Sequence, residues 1–366
     1  MQVIVKRGVF MKNTYKLLGI IAFVVIIGFL IAACYFEDSP TIITSKSNLP
    51  KTAGLYLGAP STLKPNSPLV MAVTTDEQLA EAFTDHVLNG TGEYTLLIDK
   101  DLNSTALRTF AADQKLTIIG IGGTREIANT ASGSMFYLNG NDSFLTLGEN
   151  ITLKGNSITG SLIFISNGMF TMLDKSKITE HSPSDGNGAV LVNGTNAIFE
   201  MKGGQITGNV SRNTNIYVAG GVVVTFGTFT MTGGSITGNT SSLFSGHRDM
   251  YVNFVTNTGT FTLSGNTIKI GHIVLNTSST VATPITTAAA PFNGNIEHLY
   301  LYSGQATITA VASDWLGKTV ISGTGNRVAI RNRITTTSFM TNTAGDLIAP
   351  IAATHNINTS GVLVAN

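Results

Sequence analysis

The chain has 366 residues, a formal net charge of +1 and 12% charged residues, against the quarter or so usual in soluble globular domains. So weak a charge balance excludes the basic footprint of a nucleic-acid binder, and 39 glycines with an excess of Thr, Ser and Asn exclude the composition of a helical enzyme. A hydrophobic content of 43% still leaves ample material for a core.

The chain opens with a basic start, Lys6 and Arg7, then Lys12 and Lys16 after a second possible initiator, Met11. An unbroken apolar run over 17–33 follows, which is the shape of an export signal. The run closes on Ile31-Ala32-Ala33-Cys34, where small residues let a peptidase reach the backbone and a thiol follows. These four residues resemble the bacterial lipobox. That resemblance implies a signal peptide over 1–33, cleavage before Cys34, lipidation of Cys34, and a mature protein held to a membrane of the cell envelope, at the outer membrane or cell surface. Two or more acyl chains are what stable membrane attachment requires. The competing reading is an uncleaved spanning helix, for which 17 apolar residues lie at the short edge of the ~17–25 needed. Cys34 is the only cysteine, so no intrachain disulfide forms and packing alone must hold an exported domain. Prolines at 40, 50, 60, 65 and 68 interrupt the stretch over 34–70, which reads as a flexible tether, with a partly packed segment as the alternative.

Residues 71–135 read as a cap and first rungs. Thr75-Asp76-Glu77-Gln78 is a capping box, and Leu79, Ala82, Phe83, His86 and Val87 fall on one face of the helix it starts. His86 on that apolar stripe reads as a half-buried packing residue. Tyr94-Leu96-Ile98 and Leu116-Ile118 are alternating strand signatures. Helix and strand pair together resemble the N-terminal cap of pectate-lyase-like β-helices, where the helix plugs the open end of the coil.

Over 136–270 a repeat emerges with three short apolar elements in constant order. The first series is Phe136/Leu138, Ile163/Ile165, Val190/Val192, Val222/Val224 and Met250/Val252. The second is Leu145/Leu147, Phe170/Met172, Phe199/Met201, Phe229/Met231 and Phe261/Leu263, spaced by 25, 29, 30 and 32 residues. The third is Ile151, Ile178, Ile206, Ile236 and Ile268. A period of this size with three strands is one turn of a three-sided parallel coil, whose rungs bury one another's apolar faces. Gly203-Gly204, Gly233-Gly234 and Gly265-Asn266 mark equivalent corners, where left-handed backbone is easiest. The unit over 170–188 has Leu173-Asp174-Lys175-Ser176-Lys177 instead. Asn209 and Asn239, each ending an Ile-Thr-Gly-Asn run, can stack as an amide ladder.

The run from Phe229 to Asn239, Phe-Thr-Met-Thr-Gly-Gly-Ser-Ile-Thr-Gly-Asn, and its copy at 199–209 resemble the repeats of right-handed parallel β-helix lipoproteins of host-associated bacteria. The fold class expected is therefore all-β: a right-handed parallel β-helix, a three-sided solenoid with a short N-terminal capping helix. Over 271–366 the period blurs, and the chain there reads as irregular further rungs or a small separate β domain.

β-Helices of this kind include polysaccharide lyases and hydrolases, whose chemistry needs clustered carboxylates. Here the acids do not recur from rung to rung. The densest charged group is Asp174, Lys175, Lys177, Glu180, His181 and Asp185, and a second is His247-Arg248-Asp249. Both read as solvated loop charges, so no catalytic residue and no metal ligand is named and no cofactor is expected. The reading that follows is a non-enzymatic, membrane-anchored binding or adhesion module for a glycan or host protein. The alternatives are a cell-anchored lyase or glycoside hydrolase working through Asp174, His181 and Asp185, or around His247 and Asp249, and a purely structural spacer.

Overall fold

The computed structural model describes residues 49–365 apart from 65–67, 158, 216–217, 243–245, 255–258, 278–282, 293, 304, 310–317, 324–326, 332–339, 342–346, 349–354 and 358–362. The apolar run, Cys34 and the first part of the tether lie outside the described residues.

The chain winds as a right-handed parallel β-helix with three walls. Alternating apolar and polar residues turn every second side chain inward, and parallel pairing places each strand on its counterpart ~4.8 Å away. On the first wall, Phe136, Ile163, Val190, Val222, Met250 and Ile273 are register partners in succession. On the second, Tyr94, Leu116, Leu145, Phe170, Phe199, Phe229 and Phe261 follow one another. From Phe170 to Phe261 the rings form a continuous internal column, with centroids 5.0, 5.3 and 5.2 Å apart, the outer two pairs stacked and Phe199 meeting Phe229 edge to face.

The third wall corrects the sequence reading at two positions. Leu153, not Ile151, pairs with Ile178, and Ile270, not Ile268, pairs with Ile236. All four of these candidates point inward and are buried. Side chains repeat every two residues along a strand, so a shift of two preserves the apolar face and leaves no trace in the pattern.

The corner between second and third walls is left-handed in four successive rungs, at Asn150, Lys175, Gly204 and Gly234, with φ of 61°, 62°, 79° and 89°. The unit lacking the glycine pair therefore makes the same turn, with Lys175 at the glycine position. In the next rung the left-handed residue moves back to Gly265, φ 99°, beside a shift of register between Leu263 and Gly265.

The first rung is closed from two sides. Thr75 Oγ1 accepts from the Gln78 amide (3.3 Å), and Gln78 Oε1 accepts from the Thr75 amide (3.1 Å), completing the capping box of helix Asp76–Glu81. The helix widens into a π-turn over Ala82–Val87, where the Leu88 amide reaches back five residues to the Phe83 carbonyl (2.8 Å). Leu79, Ala82, Phe83 and Val87 are buried, His86 is half-buried, and the Phe83 ring lies 5.8 Å from Phe136. The second closure comes from the stretch expected to be tether. Gly54–Leu57 pairs antiparallel with Glu93–Ile98, burying Leu55 and Tyr56 and covering an edge that would otherwise invite pairing with another chain. From Leu49 onward that segment is thus part of the cap: its prolines, such as Pro60 at the start of a 3-10 turn, flank a short apolar strand rather than interrupt it.

Beyond 270, parallel pairing runs on through Thr283–Phe292, Asn295–Ser303, Gln305–Thr309, Lys318–Gly323 and Arg327–Arg331. The last pairings are antiparallel, as between Val320 and Ile348.

Candidate functional site

The charged residues singled out in the sequence do not converge. Asp174 and Lys175 occupy the corner between second and third walls, where Lys175 Nζ meets Glu149 Oε2 of the previous rung at 3.3 Å. Glu180 pairs with Lys154 at 3.1 Å, and Glu126 adds a longer contact of 3.7 Å to the same ammonium. The Glu180 hydrogen bond, then the charge of Glu126, raise the Lys154 pKa. Asp185 is exposed and its Oδ1 accepts from the Gly160 amide (3.0 Å). Among the described residues no three His, Cys, Asp or Glu side chains gather where they could hold a metal ion.

His181 is fully buried. Its Nε2 lies 2.9 Å from the Gly160 carbonyl, which can only accept, so Nε2 carries a proton. Burial, opposed weakly by that hydrogen bond, pushes its pKa down to about 4. His181 Nδ1 has no hydrogen-bond partner among the described residues.

His181 starts a buried polar column. Its amide donates to Asn209 Oδ1 (3.1 Å), and the Asn209 amide and Nδ2 donate to Asn239 Oδ1 (3.1 and 2.8 Å). The expected amide ladder is present, and Asp249 continues it. Asp249 Oδ1 accepts from the Asn239 amide (2.7 Å) and Nδ2 (2.9 Å), while Oδ2 accepts from the His272 amide (2.8 Å). A buried carboxylate, which only accepts, suits a place where every neighbour donates. Arg248 is buried too, donating from Nη1 to the Val218 carbonyl (2.9 Å) with its guanidinium 5.5 Å from the Tyr251 ring.

The surface best built for contact is the outer face of the first wall, where two columns run from rung to rung. One holds the outward register partners Tyr137, Phe164, Leu191, Val223, Tyr251 and Val274. The later members are buried, with Ala219 of a connecting segment packed among them, whereas Tyr137 and Phe164 are half-exposed. The Tyr137 and Phe164 rings stack at 4.8 Å with planes 10° apart. On the other side of Tyr137 the register partner is the small Thr109, and Leu107, 47% exposed, lies two residues along.

The second column sits two residues further on: Asn139, Ser166, Asn193, Thr225, Asn253 and Asn276. Ser166 Oγ donates to Asn139 Oδ1 (2.8 Å), Thr225 Oγ1 to Asn193 Oδ1 (2.7 Å), and Asn276 Nδ2 to Asn253 Oδ1 (3.0 Å). Neither column contains a charged residue. Sequence reasoning passed over Tyr137 and Phe164 because it followed inward positions. The detectable signal was an aromatic at the intervening position of two consecutive rungs.

No protein family, no curated protein and no solved structure matches this chain in sequence or fold comparison.

Proposed function

We propose that the protein is a lipid-anchored, non-enzymatic module of the cell envelope that binds a neutral glycan on the outer face of the first wall. The observation that carries this reading is the partly exposed Tyr137–Phe164 stack beside a column of amides and hydroxyls without charge. Sugar rings present apolar C–H faces that pack on an aromatic ring, and hydroxyls that exchange hydrogen bonds with amides at the rim. Absence of charge favours neutral over acidic sugars, because an anionic ligand would find no partner there.

Binding of the full chain to arrays of neutral glycans tests this. Tyr137→Ala is expected to weaken retention about tenfold, the equivalent of ~1.4 kcal/mol, while Tyr137→Phe keeps most of it. Equal binding by wild type and Tyr137→Ala, or preference for acidic glycans, would overturn the assignment.

The anchor rests on the Ile31-Ala32-Ala33-Cys34 run after a basic and apolar leader. In cells producing Cys34→Ala, the protein is expected to appear as an unprocessed precursor or to be released, while wild type stays in the membrane fraction. Identical fractionation and mass of the two would remove the lipid from the proposal.

A further inference from the structure

His272 and His298 are register partners on adjacent rungs, where the third wall passes into the first. Their imidazole centroids lie 5.6 Å apart with planes tilted by 45°. The His272 side chain is 32% exposed and His298 is half-buried, so solvent reaches both. Behind His272 stands the buried carboxylate of Asp249, with Oδ2 3.7 Å from His272 Nδ1 and already bonded to the His272 amide. Gly271 makes this approach possible: a Cβ there would lie 2.1 Å from Asp249 Oδ2.

A carboxylate near one imidazole nitrogen favours the proton on that nitrogen and the lone pair on the other; at 3.7 Å from Nδ1 the Asp249 carboxylate acts through space and not through a hydrogen bond. Metal-ligating histidines are oriented in this way by outer carboxylates. Two imidazoles sharing one tetrahedral ion through bonds of ~2.0–2.1 Å have ring centres roughly 5 Å apart, close to the 5.6 Å of this pair. Glu297, next to His298, is opposed by Lys269 at 3.8 Å, so charge alone does not draw a cation here. Imidazole donors select zinc, copper and nickel over calcium or magnesium.

We propose that His272 and His298 together bind one divalent transition-metal ion of the zinc class, with Asp249 orienting His272 and water completing the coordination. This is independent of the glycan reading, since neither histidine belongs to the two columns on the first wall.

Titration of the full chain with Zn2+ against a chromophoric chelator near neutral pH tests it. One ion per chain is expected, with affinity at least about tenfold weaker in His298→Ala and in His272→Gln, unchanged in His86→Ala, and not displaced by excess Ca2+. His298→Ala is the primary variant because its half-exposed side chain lies outside the buried ladder. Unchanged Zn2+ affinity in folded His298→Ala, or an equal loss in His86→Ala, would overturn the site.

Discussion

Asp249→Ala is expected to destabilise the coil by about 4 kcal/mol. The substitution strands two donors, the Asn239 and His272 amides, while Asn239 Nδ2 keeps the carbonyls of Ile206 and Thr237 as acceptors, and each unsatisfied buried group costs about 1–3 kcal/mol. Asp249→Asn keeps the volume and one acceptor, but turns an amide group toward donors on one side. It should cost about half as much. Solenoids open locally, so hydrogen exchange at the Asn239 and His272 amides reads the effect more directly than a global melt. Loss of protection centred on these two amides in Asp249→Ala is the expected result. Protection equal to wild type would show that the column does not depend on its carboxylate.

Acid is expected to weaken the fold through His181. Its pKa in the folded chain is about 4 against an ordinary 6.5, because burial penalises the charged ring. The unfolded chain therefore takes up the proton first. The stability that His181 contributes is fully present above pH 6.5 and is lost as pH falls from 6.5 toward 4. A difference of 6.5 − 4 = 2.5 in pKa, at ~1.36 kcal/mol each, amounts to about 3 kcal/mol by the lower end of that window. In His181→Asn an amide takes the place of the imidazole at the head of the Asn209–Asn239 ladder and nothing there titrates. Unfolding measured from neutral pH to about pH 4 should show the wild type losing about 3 kcal/mol more than the variant. Parallel pH profiles would mean that His181 is protonated or exposed in the folded chain.

Both predictions concern the same column, and it was only half legible beforehand. Asn209 and Asn239 announce themselves because each follows Ile-Thr-Gly in consecutive repeats. Asp249 does not. It belongs to a different segment of the repeat, ten residues beyond Asn239, and reaches the ladder because the connecting segment folds back as Gly246–His247 pairs antiparallel with Thr240–Ser241. His181, read in sequence beside Asp174 and Asp185 as a loop charge, is instead turned inward and neutral. A row of polar letters in a turn does not say which of them faces the core.

The first and second series behave differently from the third for a related reason. Pairs such as Phe199/Met201 and Phe229/Met231 repeat the same residue types, which identifies partners as well as faces, and the structure pairs them as expected. Ile151 and Leu153 are both aliphatic and both inward, so composition could not rank them.

The sequence by itself determined the class of fold, the inward faces of the first two walls, the capping box and the Asn209–Asn239 ladder, because a period-two alternation recurring every 25 to 32 residues admits one economical burial. Only the tertiary structure decided the third-wall register, the left-handed turn at Lys175, the end of the ladder at Asp249, the stacking of Tyr137 on Phe164 and the meeting of His272 with His298. Each of these depends on which residues of neighbouring rungs stand opposite one another. That is set by corner segments whose lengths vary from rung to rung, and local alternation carries no record of it.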